Sequence, residues 1–285
     1  MPLILTLLTF ILSVFPGLLI CFFIIKLDKH EKEPLPLLAI SLALGVGVFF
    51  VARFAEGYFD EWMLSYFNPE GRIDFNPNTN WGTLFISAFF RAGFIEEFFK
   101  LAVLLLIPFH FKQFNESIDG IVYAVMIGMG FATVENAYYC MPNNEFILAA
   151  VRDLTAVPSH GVFGVILGYY VGLAKSNKNN IQYILTGFLL TVGVHGLYDI
   201  FLFQEFNDWM MILATGVLLA GFYFSYQLIN AHQENSPFEG TFEEYSITPS
   251  KKITDTDEEE NEILSGVLSQ MKKEKKDQLN QNEND

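Results

Sequence analysis

The sequence is poor in cysteine, and its cysteines are not spaced for metal or redox chemistry. Cys21 and Cys140 are the two cysteines among 285 residues, and both fall within or beside apolar segments. No Cys-x-x-Cys pair occurs, so neither a thiolate zinc site nor a disulfide framework is predicted. The His-Glu-x-x-His pattern of common zinc proteases is absent as well.

Basic residues are also scarce. There are 17 Lys and Arg against 32 Asp and Glu, which gives a formal net charge of −15, and no basic stripe is present. This balance argues against nucleic acid as a partner. Residues 230–285 hold 14 acidic and 6 basic side chains. We predict that this stretch is a disordered cytoplasmic tail that follows a transmembrane catalytic bundle of residues 1–229.

Charge is missing altogether from several long runs. The mean hydropathy is +0.32, 52% of residues are hydrophobic, and 30 are Phe. A chain of this kind is predicted to be a polytopic membrane protein whose spanning segments are α-helices, because backbone groups find no water in a bilayer. Segments of about 20 apolar residues are predicted at 3–25, 35–58, 83–107, 118–139, 147–173, 181–203 and 209–229.

The loops between these segments alternate in basic charge. The first, third and fifth loops and the tail carry lysines, whereas the second has Arg72 alone and the fourth and sixth have no Lys or Arg. Because basic loops stay in the cytoplasm, the N-terminus is predicted outside and the C-terminus inside. The first segment lacks a basic flank and a cleavage site, which favours a spanning helix over a signal peptide. The fold class is therefore an all-α bundle of about seven transmembrane helices.

Ionisable residues inside these segments are the candidate functional groups, since each costs about 3 kcal/mol at mid-membrane by insertion scales. Lys100 follows Glu96 by four residues and Glu97 by three, so it can pair with either on one helix face. His195 and Asp199 are also one turn apart, a spacing that lets a carboxylate orient an imidazole. The remaining candidates are Arg91, Glu135, Arg152 and His160, while residues nearer the segment ends are given a structural role: Arg53, Glu56, Asp119 and Asp153.

Counting about 1.5 Å per residue from the segment ends predicts a polar cavity that opens outward, with the carboxylate pair at its floor. Gly193 and Gly196 are expected to let another helix approach His195 closely. Pro158 is expected to kink or open the helix near His160.

Peptide hydrolysis inside a membrane is the reaction class that these residues favour. One glutamate of Glu96 and Glu97 would be the general base, with Lys100 keeping the other ionised. His195 would donate to an oxyanion or to a leaving amine. A zinc ion is the alternative cofactor, and the residues leave zinc or no metal open. The catalytic candidates are Glu96, Glu97, Glu135, His160, His195 and Asp199; the metal-ligand candidates are Glu96, Glu97, His160 and His195; and the substrate-binding or charge-pairing candidates are Arg91, Lys100 and Arg152.

Four motifs in order resemble those of one family. Glu96-Glu97-Phe-Phe-Lys100 resembles the Glu-Glu-x-x-Lys motif of the PrsW family of bacterial intramembrane proteases. Phe131–Glu135, Arg152–His160 and His195–Asp199 are similar to its second, third and fourth motifs. The resemblance covers roughly residues 80–205. It implies a multi-pass protein of the bacterial cell membrane that lies in the lipid bilayer and cleaves a membrane protein substrate.

The PrsW family belongs to a clan with the CAAX prenyl proteases and the Abi proteins, in which a glutamate of the first motif and a histidine of the second are taken to activate water. Here the second motif ends in Glu135 instead of histidine, and His160 is the candidate replacement. The best-known family activity is the first cleavage of a membrane-anchored anti-sigma factor on its extracytoplasmic side. The alternatives are a non-catalytic membrane scaffold of the same fold and a proton-coupled transporter, although transporters usually show a repeat that this sequence lacks.

Overall fold

A computed structural model describes residues 2–27, 31–70, 77–143, 145–178 and 180–233. Within these ranges the regular structure is helical throughout, without a β-strand. The helices are α1 (Pro2–Leu27), α2 (Leu35–Phe67), α3 (Trp81–Ile86), a π-helix (Ser87–Phe94), α4 (Ile95–Leu106), α5 (Ser117–Cys140), α6 (Phe146–Leu154), α7 (Ala156–Ser176), α8 (Ile181–Phe203) and α9 (Met211–Gln233). Residues 230–233 complete α9, and the rest of the predicted tail lies outside the described residues.

The described residues contain six helical runs that are long and apolar enough to cross a membrane, with α6 and α7 counted as one. The third predicted segment is helical from Trp81 to Leu106 but is not among the six, because it is divided and carries four charged residues. The polytopic helical bundle is therefore confirmed, whereas the count of seven and the orientation stay predictions. Helix α2 runs nine residues further than its predicted end at residue 58, which shortens the second loop.

Helix α5 lies at the centre of the bundle. In the most apolar part of α5, 83% of the residues are buried, whereas the corresponding share is 28% in α1 and in α9. Glycines allow this packing: a Cβ on Gly130 would lie 2.0 Å from the Leu42 carbonyl oxygen of α2, and one on Gly168 of α7 would lie 2.3 Å from the Gly120 oxygen. Such close backbone contact stabilises helix pairs in lipid, where apolar side chains gain little from leaving the solvent.

The π-helix is a feature that the sequence did not predict. It occupies Ser87–Phe94, immediately before the carboxylate pair. Its Gly93 packs against the backbone of α8, with a built Cβ 3.1 Å from the Val192 oxygen, and Gly196 of α8 lies against the Phe89 ring. This contact brings α4 and α8 together at the level of the polar residues. The predicted role of Gly196 is confirmed, but that of Gly193 is wrong, because its Cβ would meet nothing within 4 Å.

The fifth predicted segment is interrupted, although not at the predicted residue. The helix breaks at Thr155, whose φ of −127° and ψ of −72° are not helical, between α6 and α7. Pro158 then falls in the first turn of α7, where its missing N–H would have no helical partner anyway. His160 therefore projects from a regular helix and not from a kink.

Cysteine labelling can test the predicted orientation. With Cys21 and Cys140 replaced by serine, we expect Asn143→Cys, in the fourth loop, to react with a membrane-impermeant maleimide in intact cells. Asn177→Cys, in the fifth loop, should react only after permeabilisation, because a lysine-bearing loop is predicted to be cytoplasmic. The reverse labelling pattern, read by gel shift, would contradict the orientation.

Glycine substitutions can test the central packing. We expect Gly130→Ala to destabilise the protein by about 1–3 kcal/mol, the usual effect of overpacking, because its Cβ would overlap the Leu42 carbonyl oxygen. Gly193→Ala is the matched control, since that position is open. Thermal unfolding of both variants in detergent measures the difference, and equal midpoints would contradict the packing.

Candidate active site

A cavity of about 150 Å³ lies between the π-helix, α4, α5, α6, α7 and α8. Its polar lining combines residues from every predicted motif: Arg91, Glu96, Glu135, Tyr139, Arg152, Ser159, His160, His195, Tyr198 and Asp199. Glu97 and Lys100 do not line the cavity but contact residues that do. The structure thus brings together all nine residues that the sequence predicted for the site.

Lys100 links the carboxylate pair to a second helix. Its Nζ lies 3.2 Å from Glu96 Oε2 and 2.8 Å from Glu97 Oε1, as the spacing predicted. It also lies 3.1 Å from Nδ1 of His160 on α7 and 4.0 Å from the centre of the Phe131 ring. Only 4% of Lys100 is exposed. One buried ammonium therefore contacts two carboxylates, an imidazole and an aromatic face.

His195 bridges two carboxylates. Its Nε2 lies 3.3 Å from Asp199 Oδ2, the predicted contact, and its Nδ1 lies 3.0 Å from Glu97 Oε1. Both nitrogens can donate only when the imidazole carries both hydrogens. The ring stacks on Phe163 with centroids 4.4 Å apart, which fixes its plane. Glu97 Oε1 consequently receives two donors, Lys100 and His195.

His160 connects Lys100 to Glu135. An ammonium only donates, so Nδ1 accepts from Lys100 and Nε2 donates to Glu135 Oε2 over 3.2 Å. Arg152 Nη2 lies 2.7 Å from the same Glu135 oxygen, and its Nε donates to Asn136 Oδ1 over 3.1 Å. Glu135 is therefore held between an arginine and a histidine.

Arg91 ties the π-helix to α2. Its Nε lies 2.7 Å from Asp60 Oδ1 and its Nη2 lies 3.3 Å from Glu56 Oε2, and Glu56 also pairs with Arg53. Glu56 was expected near a helix end, but it is buried with 2% exposure, because two arginines compensate its charge. Asp119 has the expected structural role, since it accepts from the backbone N–H groups of residues 115 and 116 before α5.

Two tyrosines of the cavity were not predicted from the sequence. Tyr139 and Tyr198 both line it, on α5 and α8. A tyrosine in an apolar helix carries no charge that would single it out, and many occur in this chain. The position of Tyr198 directly before Asp199 was the available signal.

A bundle of membrane-spanning helices that encloses carboxylates and imidazoles around a cavity fits the class of intramembrane hydrolases. The model of the family described as PrsW family intramembrane metalloprotease matches residues 33–228. The match covers more than half of the chain, which belongs to this family. It is accordingly a peptidase of the bacterial membrane, and its substrate is a membrane protein.

Curated relatives named Protease PrsW support the assignment. The chain is 37% identical to one from Oceanobacillus iheyensis over 156 residues, which is 54% of this chain and 71% of that protein. It is 30% identical to one from Halalkalibacterium halodurans over 208 residues, 70% and 86% of the two chains, and 30% identical to one from Bacillus subtilis over 198 residues, 68% and 82%. No solved structure matches. Neither the scaffold nor the transporter alternative is favoured by these matches.

The family description raises the question of whether the site fits a metal ion. Glu96, Glu97 and His160 each offer one ligand atom, and these atoms lie within 4.8 Å of one another. Carboxylates and an imidazole are ligands that zinc accepts. However, the Lys100 ammonium contacts all three residues. The residue types fit zinc, but this arrangement does not, because a divalent cation and an ammonium would repel each other at close range.

Substitutions can distinguish the contributions of His195 and Asp199 to cleavage. We expect His195→Ala to lower cleavage by about 100-fold, because Asp199 loses its donor and Glu97 keeps only Lys100 of its two donors. Asp199→Asn should cost less, since the amide oxygen can still accept from Nε2. The readout is mass spectrometry of membrane-protein fragments in cells that make each variant. The control is His110→Ala on the exposed turn after α4; a His195→Ala variant as active as this control would remove His195 from the site.

Proposed function

We propose that this protein cleaves a membrane-anchored protein near its extracytoplasmic side, with Glu96 as the base that activates water. The observation that carries the proposal is the unequal bonding of the two adjacent glutamates. Glu97 Oε1 contacts both Lys100 and His195, whereas Glu96 contacts Lys100 at the longer distance of 3.2 Å and lines the cavity. Glu97 is then the anchor of the site.

Each remaining group has a role in hydrolysis of a peptide bond. A cavity water attacks the carbonyl carbon while Glu96 takes its proton, which it then delivers to the leaving amine. Arg91 and Arg152 line the cavity, and a guanidinium has five N–H donors, more than their carboxylate partners use. These arginines can therefore stabilise the oxyanion. His195, held by Asp199, positions Glu97 and through it Lys100.

A second cavity supports entry from the outer end of the bundle. It has a volume of about 440 Å³, within the usual range for ligand sites, and it shares Arg91, Tyr139 and Phe203 with the smaller cavity. Its lining includes Asp60, in the last third of α2, and Asn78, in the second loop between α2 and α3. Loop charge predicts that this loop is extracytoplasmic. A substrate helix that unwinds there would place its backbone next to Glu96.

A membrane-anchored anti-sigma factor is the candidate substrate. It is anchored in the same membrane, and its cleavage on the extracytoplasmic side agrees with the entry route proposed above. The resemblance of the four motifs to the PrsW pattern supports this choice. Release of the sigma factor would then follow after later steps.

Substitution of the two glutamates tests the division of roles. We expect Glu96→Gln to lower cleavage by about 10²–10⁴-fold, the range for a general base, with little change in protein level. Glu97→Gln should also destabilise the protein, by about 3 kcal/mol or more, because it breaks a buried ion pair. Fragments of membrane proteins are compared by mass spectrometry in cells with each variant, and thermal unfolding is measured in detergent.

Glu61→Gln is the matched control, because that glutamate is exposed at the same end of α2 as Asp60. Fragment yields that stay at the control level in both site variants would exclude the protease mechanism. If Glu97→Gln loses cleavage while Glu96→Gln keeps full activity, Glu97 is the base and Glu96 is not. An anti-sigma factor among the fragments that disappear would identify the substrate, and its unchanged processing would exclude it.

A further inference from the structure

The ammonium of Lys100 lies among the three residues that could together bind a metal ion. Its distances are 3.2 Å to Glu96 Oε2, 2.8 Å to Glu97 Oε1 and 3.1 Å to His160 Nδ1. The exposed fraction is 5% for Glu96, 1% for Glu97, and 4% for both His160 and Lys100. The cation is thus enclosed by its partners and by the Phe131 ring, 4.0 Å away.

The bonding of His160 makes this arrangement incompatible with a bound metal. A histidine binds a metal through a nitrogen lone pair. The lone pair of Nδ1 faces Lys100, and Nε2 faces Glu135 across the ring. Neither nitrogen is therefore available next to the carboxylate pair. A metal would have to displace Lys100, and the displaced ammonium would remain charged in an apolar environment, which is costly.

The geometry points to Lys100 as the resident cation of the site, in the position that a divalent metal would take. The enzyme then needs no metal at Glu96, Glu97 and His160, although its family is described as one of metalloproteases. Replacement of Lys100 by a neutral side chain removes the ammonium from between the two carboxylates and the His160 imidazole, and these three groups become a zinc site. The inference deepens the proposed function and rests on it for the role of the site, but it concerns metal content, which is measured without cleavage.

Metal analysis of purified protein tests this inference. Wild-type protein, Lys100→Met and Lys100→Arg, each with an affinity tag free of histidine, are incubated with zinc and freed of unbound ion. Zinc is counted by mass spectrometry. We expect about one zinc per chain in Lys100→Met, and far less than one in wild type and in Lys100→Arg, which keeps the charge. Addition of His160→Ala to Lys100→Met should remove the zinc.

Two results would overturn the inference. One is about one zinc per wild-type chain that Glu97→Gln or His160→Ala removes, because the metal would then share the site with Lys100. The other is a folded Lys100→Met protein that takes up no zinc. Should Lys100→Met fail to fold, the wild-type measurement alone decides, since zinc that depends on Glu97 contradicts the inference and zinc-free protein supports it.

The cleavage comparison separates this inference from the proposed function. Membrane-protein fragments that are unaffected by Glu96→Gln and Glu97→Gln would exclude the protease mechanism, while the zinc counts would stand as measured. In a different outcome, the fragments are lost in those variants while wild-type protein contains zinc that depends on Glu97. That result would support the protease mechanism and contradict the inference that Lys100 occupies the metal position.

Discussion

The Lys100 ammonium allows two adjacent carboxylates to lie in the middle of an apolar helix. An unpaired carboxylate inside the membrane would raise the free energy of the folded protein by several kcal/mol. Removal of one partner from a buried ion pair destabilises the protein strongly, because it leaves the other charge uncompensated. Lys100 contacts Glu96 and Glu97 from its own helix and His160 from α7. The other polar residues extend from this centre, with His195 joined to Glu97 and Glu135 joined to His160. The site is one connected network with a cavity on one side.

Such a network requires helices that lie close together. The glycine contacts of α5 with α2 and α7 bring the backbones into van der Waals contact, and the π-helix sets Gly93 against α8. Short distances between backbones let side chains such as His160 and His195 meet residues of other helices. Because the network joins α4, α5, α7 and α8, a change in the packing of one helix alters the distances at all of them.

The sequence predicted what depends on local spacing and on polarity. The apolar segments follow from runs of about 20 apolar residues. The Lys100 pairs with Glu96 and Glu97 and the contact of His195 with Asp199 follow from spacings of three and four residues on one helix. Contacts between helices, such as His195 with Glu97, depend on how each helix is rotated about its axis, which spacing does not define. The π-helix was missed because it is settled by packing against neighbours and not by any residue with a strong preference. An interruption near Pro158 was predicted, but it lies at Thr155 and not at His160.

The most direct test of the central claim is an experimental structure of the protein in a lipid nanodisc with zinc present, at a resolution that separates an amine from a metal. We expect the Lys100 amine within hydrogen-bonding distance of Glu96, Glu97 and His160, with no metal density among them. A zinc ion bound by these three residues, with the Lys100 side chain turned away, would contradict it.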